Sequence, residues 1–147
     1  QLIINKVLAL NQIYKKNFKR KPKILLLGLN PHNSEFRKDS EEVKIIIPAV
    51  RFLKSKKIDI YGPKPTDMAF SKKNRKIYDV IVGMYHDQVL GPFKSLYDFR
   101  AINITLGLKY LRVSPDHGTA EDIICKNKAD PTSLIEAIQF MLKSKKW

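Results

Sequence analysis

Apolar residues follow two different spacings along the chain, and these spacings predict alternating helices and strands. In residues 2–16 they recur at helical intervals and end in a basic last turn, which is typical of a helix C-terminus. Continuous apolar runs of strand length occur in KILLLGLNPH and YDVIVGMYHD, and shorter β-rich segments in KIDIYGPKP, FRAINITLGL and KYLRVSPDHG. Strands that alternate with helices predict an α/β fold with a mostly parallel sheet flanked by helices.

Two further helices carry start signals. Ser40, followed by two glutamates and an apolar periodic stretch, predicts an N-capped helix in which Pro48 would cause a kink or an early stop. Pro131-Thr132-Ser133 opens a last helix that extends through Leu142, and residues 119–125 are expected to form a helical turn.

Length and composition favour one soluble domain. A chain of 147 residues with 44% hydrophobic content can bury one core. The chain begins at Gln1 with a helical pattern, so we expect it to be part of a longer polypeptide. Its longest apolar runs fall far short of the roughly 20 residues of a membrane span, so no membrane association is expected. Cys125 is the only cysteine, which excludes an internal disulfide and favours a reducing cytoplasm.

The chain carries a formal net charge of +14, from 28 basic and 14 acidic residues. Such an excess can attract nucleic acid, anionic lipid or a phosphorylated substrate. The clusters KKNFKRKPK, KSKK, SKKNRK and KSKKW lie at segment boundaries, with little of the aromatic interleaving that single-strand binders use. Solvated turns and helix ends are the favoured interpretation. A basic nucleic-acid-binding module, supported by charge alone, stays open as the alternative of a different class.

Each of the three histidines, His32, His86 and His117, follows a predicted strand. Ligands of open α/β sheets bind at the carboxyl ends of strands, so we expect all three imidazoles at the functional edge, unless surface loops simply hold them. Neutral imidazole is a good ligand for a divalent metal, and Asp67 and Asp87 are available to orient a ring. The motifs HExxH, GxSxG and GxGxxG and the P-loop are absent, which disfavours a Rossmann dehydrogenase and a P-loop enzyme.

Possible anion-binding groups recur at nine-residue intervals, at Lys94, Asn103 and Arg112. In so basic a chain, surface charge is the preferred interpretation of these residues taken alone. The segment SPDHGTAED places small residues around His117, which is typical either of a loop that lets the backbone approach a ligand or of an ordinary strand-to-helix turn.

Six segments together resemble one known family. GLNPH, GPKPTDMAF, YDVIVGMYHDQ, NITLGL, LRVSPDHGTAEDI and KADPTSLIEAI occur in the order and spacing of the C-terminal half of the 4-hydroxythreonine-4-phosphate dehydrogenases, from about Lys23 to Leu142. The resemblance implies the α/β fold of the isocitrate/isopropylmalate dehydrogenases. Residues 1–147 would be its C-terminal portion, with metal-, substrate- and NAD-binding segments, and the N-terminal half would be absent.

The resemblance also implies an activity. A cytoplasmic homodimer would use NAD or NADP and a divalent metal such as Zn, Mg, Co or Mn to oxidise the C3 hydroxyl of 4-phosphooxy-L-threonine. The resulting β-keto acid would then lose carbon dioxide, a step of pyridoxal phosphate (vitamin B6) biosynthesis. The expected partners are this small phosphorylated substrate and a second copy of the chain, with no nucleic acid and no membrane.

The resemblance gives most of the candidate residues a role. The metal, in a site shared between dimer partners, would be bound by His32 and His86. The catalytic groups that orient ligands or handle protons would be Asp67 and Asp87. Substrate would be bound by Lys94, Asn103 and Arg112. Cofactor would be bound by His117, Gly118, Thr119, Ala120, Asp122 and Asn127. Gln88 receives no role.

The chain departs from the family pattern in two respects. A third metal histidine and a His-Thr pair that contacts the substrate belong to the N-terminal half, so we expect this chain alone to be inactive. After GLNPH the family continues with Ala-Gly-Glu and further glycines, whereas residues 33–42 are NSEFRKDSEE, which places bulkier residues beside His32.

Two substrate alternatives stay open, another phosphorylated hydroxy acid and a cis-dihydrodiol.

Overall fold

Three parallel strands form the sheet of the first of two units. The computed structural model describes residues 1–144; the first unit is Gln1–Pro92, and the second begins at Phe93. In the first unit, β1 (Ile24–Leu27) lies between β2 (Ile60–Lys64) and β3 (Val80–Val82), and both neighbours run parallel to it. The expected parallel α/β arrangement is confirmed here.

The central strand β1 is buried on both faces because all four of its residues are apolar. Side chains alternate between the two faces of a strand. Ile24 and Leu26 pack into one apolar cluster, while Leu25 and Leu27 pack with Ala69 into a second. The strand is therefore the centre of the core, and its carboxyl end is held firmly in place.

Two helices supply much of the larger apolar cluster. The first, α1 (Leu2–Phe18), contributes Val7, and α2 (Ile47–Ser55) contributes Val50 and Leu53. Burial of these side chains fixes both helices against the sheet.

A π-helical turn, Glu42–Ile46, precedes α2. Ser40 caps this segment, since its Oγ accepts a hydrogen bond from the Val43 N–H at 3.4 Å, and the predicted N-cap is confirmed. Pro48 has no N–H to donate to the preceding turn. The helix nevertheless continues to Ser55, so no early stop occurs, and the irregular turn lies just before the proline.

Three further helices follow the outer strands of the first unit. Two of them, α3 (Thr66–Ala69) and α4 (Lys72–Ile77), follow β2, and α5 (His86–Tyr97) follows β3 and continues into the second unit. Within residues 1–144, no helix is long and apolar enough to cross a lipid bilayer.

The second unit contains an antiparallel pair of strands. The strands β4 (Ile102–Thr105) and β5 (Arg112–Pro115) pair with each other, outside the parallel sheet. A 3-10 turn at Glu121–Ile123 falls within the predicted helical turn, and α6 (Thr132–Lys143), the predicted last helix, packs on β4 and β5.

Ser133 joins three segments of this unit. Its Oγ donates a hydrogen bond to the Ala101 carbonyl oxygen at 2.6 Å and accepts one from the Asp116 N–H at 2.9 Å. Because Ser133 is 1% exposed, these bonds are shielded from water. They fix the chain where it leaves β5.

Candidate active site

A cleft of about 240 Å³ lies at the carboxyl ends of the parallel strands in the first unit. The segments after β1, β2 and β3 each contribute to its lining, which consists of Leu29, Asn30, Pro31, His32, Thr66, Asp67, Tyr85 and Gln88. Ligands of open α/β sheets bind at this edge. The cleft therefore brings together three of the sequence motifs that were candidates for chemistry.

His32 lies in a backbone segment of unusual conformation. From His32 to Glu35 the φ angles lie between 49° and 56°, and Phe36 has a φ of 56°. Non-glycine residues pay about 1–2 kcal/mol each in left-handed conformation. The bulkier residues after GLNPH therefore form a strained turn beside the cleft.

Asn33 anchors this left-handed turn from inside. It is buried, and its Nδ2 donates a hydrogen bond to the Pro63 carbonyl oxygen at 3.2 Å, which ties the turn to β2. Its Oδ1 is buried without a hydrogen-bond partner in the described residues and lies directly beside Gly28. A side chain at position 28 would overlap this oxygen, which explains why a glycine follows β1.

His86 is the first residue of α5 and is held by its neighbour. Its Nδ1 lies 2.7 Å from Oδ1 of Asp87, and the two side chains are 77% and 89% exposed. A carboxylate only accepts hydrogen bonds, so in a neutral ring Nδ1 would carry the hydrogen and Nε2 would keep its lone pair. Neither side chain lines the cleft, and the orienting role of Asp87 stays a prediction.

His32 and His86 are the predicted ligands of a divalent metal. No group of three or more His, Cys, Asp or Glu side chains in residues 1–144 is arranged to hold a metal ion. His32, which lines the cleft, and His86, whose Nδ1 contacts Asp87, each fit the role of a single imidazole ligand. A complete site would need further donors from outside this set.

Two buried side chains near the cleft, Gln88 and Glu42, received no role from the sequence pattern. Gln88 donates to the Gly28 carbonyl oxygen and accepts from the Met84 N–H, and Glu42 accepts from the Leu29 and Asn30 N–H groups. The only signal in the sequence was an amide directly after the His-Asp pair and a glutamate in a predicted first helical turn. Neither pattern reveals a partner far away in the chain.

The predicted substrate-binding residues all lie in the second unit. Asn103 and Thr105 share one face of β4, and Arg112 lies opposite Thr105 and donates a hydrogen bond to its Oγ1 at 2.8 Å. Arg112 and Asn103 therefore lie on one face of the strand pair. Lys94 Nζ lies 3.7 Å from Oδ2 of Asp116, just beyond β5.

The predicted cofactor loop forms a concave surface of about 410 Å³ in the second unit. Five of the six predicted cofactor residues line it, namely His117, Gly118, Thr119, Ala120 and Asn127, whereas Asp122 does not. His117 follows β5 and not a strand of the parallel sheet. The expectation that one sheet edge carries all three histidines is therefore wrong for His117.

The basic clusters lie away from the cleft. Residues 15–23, 54–57 and 71–76 precede β1, β2 and β3, and parallel strands all begin at the same edge of a sheet. The cleft lies at the other edge. The fourth cluster, KSKKW, includes residues 145–147, which lie outside the described residues.

Comparison with known proteins identifies the family. Residues 1–141 match the family model described as pyridoxal phosphate biosynthetic protein PdxA. The chain belongs to the PdxA family. A curated relative from Sulfurihydrogenibium sp. (strain YO3AOP1), named 4-hydroxythreonine-4-phosphate dehydrogenase, is 48% identical over 146 residues, which are 98% of this chain and 45% of that protein. The chain thus spans less than half the length of this relative.

Two solved structures share the fold. A 4-hydroxythreonine-4-phosphate dehydrogenase from Burkholderia phymatum is 39% identical with a TM-score of 0.73, over 97% of this chain and 44% of that one. A terephthalate 1,2-cis-dihydrodiol dehydrogenase from Burkholderia xenovorans LB400 is 27% identical with a TM-score of 0.71, over 96% of this chain and 45% of that one. The PdxA-family chain therefore has part of the expected isocitrate/isopropylmalate dehydrogenase-like fold.

Proposed function

We propose that this chain carries the metal-, substrate- and cofactor-binding portion of an NAD-dependent 4-hydroxythreonine-4-phosphate dehydrogenase of vitamin B6 biosynthesis. The observation that carries the proposal is the cleft at the carboxyl ends of the parallel strands, which His32 and Asp67 both line in a chain of the PdxA family. The name of the 48% identical relative supports the choice of substrate.

Residues of the second unit bind the substrate in this proposal. 4-Phosphooxy-L-threonine carries a phosphate and a carboxylate, and both anions suit fixed cations and amide donors. Arg112 and Asn103 share one face of the strand pair, so they can contact a single ligand. Lys94 supplies a second cation, and Asp116 keeps its ammonium group near the end of β5.

The reaction removes two hydrogens from the C3 carbon and its hydroxyl. NAD⁺, when bound, would supply the acceptor for the hydride from C3, and the hydroxyl proton would pass to a carboxylate of the protein. The resulting ketone lies β to the substrate carboxylate, so the C1–C2 bond can then break: carbon dioxide leaves, the electron pair forms an enolate, and C2 takes up a proton. Asp67 lines the cleft and is the carboxylate we assign to accept the hydroxyl proton. Cofactor binding belongs to the concave surface around His117.

His32 and His86 would hold the divalent metal, in a site shared by the two copies of a homodimer. When bound, such an ion lowers the pKa of the substrate hydroxyl and polarises the carbonyl that forms. Asp87 fixes the ring of His86 through Nδ1, so that Nε2 is presented for coordination. We place the enzyme in the cytoplasm, where Cys125, an exposed free thiol, stays reduced.

The experiment uses the polypeptide encoded by the complete gene and follows NADH formation with 4-phosphooxy-L-threonine. We expect activity that a chelator removes and a divalent metal restores, and that His86→Ala lowers at least about a hundredfold. Lys94→Ala should raise KM for the substrate, while Lys73→Ala, a matched change of an exposed lysine on α4, should leave KM unchanged. Activity indifferent to the chelator and to His86→Ala would refute the metal role.

The second candidate function is oxidation of a cis-dihydrodiol. The observation that favours it is the structural similarity to the dihydrodiol dehydrogenase from Burkholderia xenovorans LB400. Lys94 and Arg112 fit anionic ligands, which both substrates can be, so these residues alone do not distinguish a phosphate from a carboxylate.

A further inference from the structure

Two fully or almost fully buried polar side chains lie directly beneath the turn that leads from β1 to His32. Gln88 of α5 is 5% exposed, and Glu42 of the π-helical turn is 0% exposed. Burying an amide or a carboxylate is costly unless its hydrogen bonds are satisfied. Their partners therefore show what these side chains hold in place.

Gln88 connects the ends of two neighbouring strands. Its Nε2 donates a hydrogen bond to the Gly28 carbonyl oxygen, after β1, at 2.6 Å, and its Oε1 accepts one from the Met84 N–H, after β3, at 2.7 Å. A single side chain thus sets the spacing between the GLNPH and MYHDQ segments.

Glu42 holds the next two residues of the same turn. Its Oε1 accepts hydrogen bonds from the Leu29 N–H at 2.9 Å and the Asn30 N–H at 2.8 Å, and its Oε2 accepts from Asn30 Nδ2 at 3.1 Å. Burial alone raises the pKa of the Glu42 carboxyl, but the hydrogen bonds from Asn30 and Leu29 outweigh it, so the net pKa lies below the usual value. The carboxylate therefore stays ionised and remains a strong acceptor.

Together the two side chains bind one backbone group in each of three consecutive residues. These groups are the Gly28 C=O, the Leu29 N–H and the Asn30 N–H. The left-handed segment that begins at His32 follows two residues later. Strained backbone of this kind persists only where its surroundings hold it. The turn would otherwise relax toward right-handed backbone and move the His32 ring.

We propose that Gln88 and Glu42 are positioning residues that clamp the turn Gly28–Asn30 and thereby place His32 at the wall of the cleft. This inference rests on the proposed function for its kinetic consequence. Its structural consequence, a rigid turn, can be measured without any activity.

The kinetic test uses the polypeptide encoded by the complete gene. Gln88→Met removes both hydrogen bonds at similar side-chain length, Glu42→Ala removes the acceptor, and Glu42→Gln keeps one oxygen for the two N–H groups. We expect Gln88→Met and Glu42→Ala to lower kcat per folded enzyme by about tenfold or more, with KM for the substrate changed less than about twofold. Glu42→Gln should recover most of the activity that Glu42→Ala loses.

The independent test is amide hydrogen exchange of the same variants. Exchange at Leu29 and Asn30 should accelerate at least about tenfold in Gln88→Met and Glu42→Ala, while Leu25 and Leu26 within β1 keep their protection. Two controls should change neither exchange nor kcat. They are Gln12→Met on the exposed side of α1, and Glu41→Gln, whose carboxylate accepts a hydrogen bond from the side chain of Asn30.

The outcomes separate the two claims. If the unsubstituted enzyme lacks dehydrogenase activity but exchange at Leu29 and Asn30 accelerates as expected, the proposed function fails and the clamp stands. Equal acceleration at β1 and at the turn would mean that Gln88 and Glu42 only support folding, and unchanged exchange at the turn would mean that they hold nothing. Either result overturns the inference.

Discussion

Replacement of Glu35 by glycine should stabilise the first unit. Glu35 has a φ of 51° and an exposed side chain, so glycine relieves left-handed strain and removes no packing. Removal of the left-handed strain stabilises the folded state by about 1–2 kcal/mol. The greater conformational freedom of glycine in the unfolded chain destabilises the folded state by about 0.5–1 kcal/mol. The expected net gain is therefore about 0.5–1 kcal/mol in the free energy of unfolding.

Native-state hydrogen exchange of the β1 amides measures this gain in the first unit. We expect these amides to exchange only when the core of that unit unfolds. A gain of 0.5–1 kcal/mol slows their exchange roughly two- to fivefold. Arg37→Gly is the matched control, since Arg37 is exposed, has a φ of −56°, and gains nothing from glycine. It should destabilise by about 0.5–1 kcal/mol. If Glu35→Gly accelerates exchange as Arg37→Gly does, the left-handed turn is not strained in solution.

Two further predictions concern polar contacts outside the cleft. The Arg20 guanidinium, which donates to both carboxylate oxygens of Asp79 at 2.8 and 2.7 Å, lowers the pKa of that carboxyl. The stability it contributes is present above the unfolded pKa of about 3.9 and is lost as pH falls through the lower folded-state pKa. In Asp79→Asn the urea-denaturation midpoint should depend less steeply on pH in that acid range. An unchanged pH dependence of the midpoint would contradict this assignment. Ser133→Ala should destabilise the second unit by about 2–3 kcal/mol, because the Asp116 N–H and the Ala101 C=O lose their partner. Undisturbed hydrogen exchange at the Asp116 amide would show that the serine is dispensable.

The features that the sequence predicted correctly depend on local pattern. The run Ile24–Leu27 is apolar at every position, so it had to be buried on both faces, as it is. Ser40 precedes a helix with acidic residues in its first turn, and it caps that helix. The motifs GLNPH and PTDMAF follow strands of the parallel sheet, and His32 and Asp67 line the cleft there, while their roles stay predictions.

The features that were missed depend on contacts distant in sequence or on backbone conformation. The strands β4 and β5 carried a strand signal, but alternation does not specify whether the partner is parallel or antiparallel. Gln88 had no assignable role because its acceptor, the Gly28 carbonyl, lies 60 residues away along the chain. The left-handed turn was invisible because Ser34 and Glu35 are residues that rarely adopt positive φ.

The proposed substrate can be tested by comparing the two candidate substrates in one assay. With the polypeptide encoded by the complete gene, kcat/KM for NADH formation should be compared for 4-phosphooxy-L-threonine and the cis-dihydrodiol of terephthalate. We expect a preference of at least about a hundredfold for the phosphorylated hydroxy acid, because rate depends on how well the reacting groups are placed, and the site would be arranged around its C3 hydroxyl. An equal or greater kcat/KM for the dihydrodiol would contradict the proposed substrate.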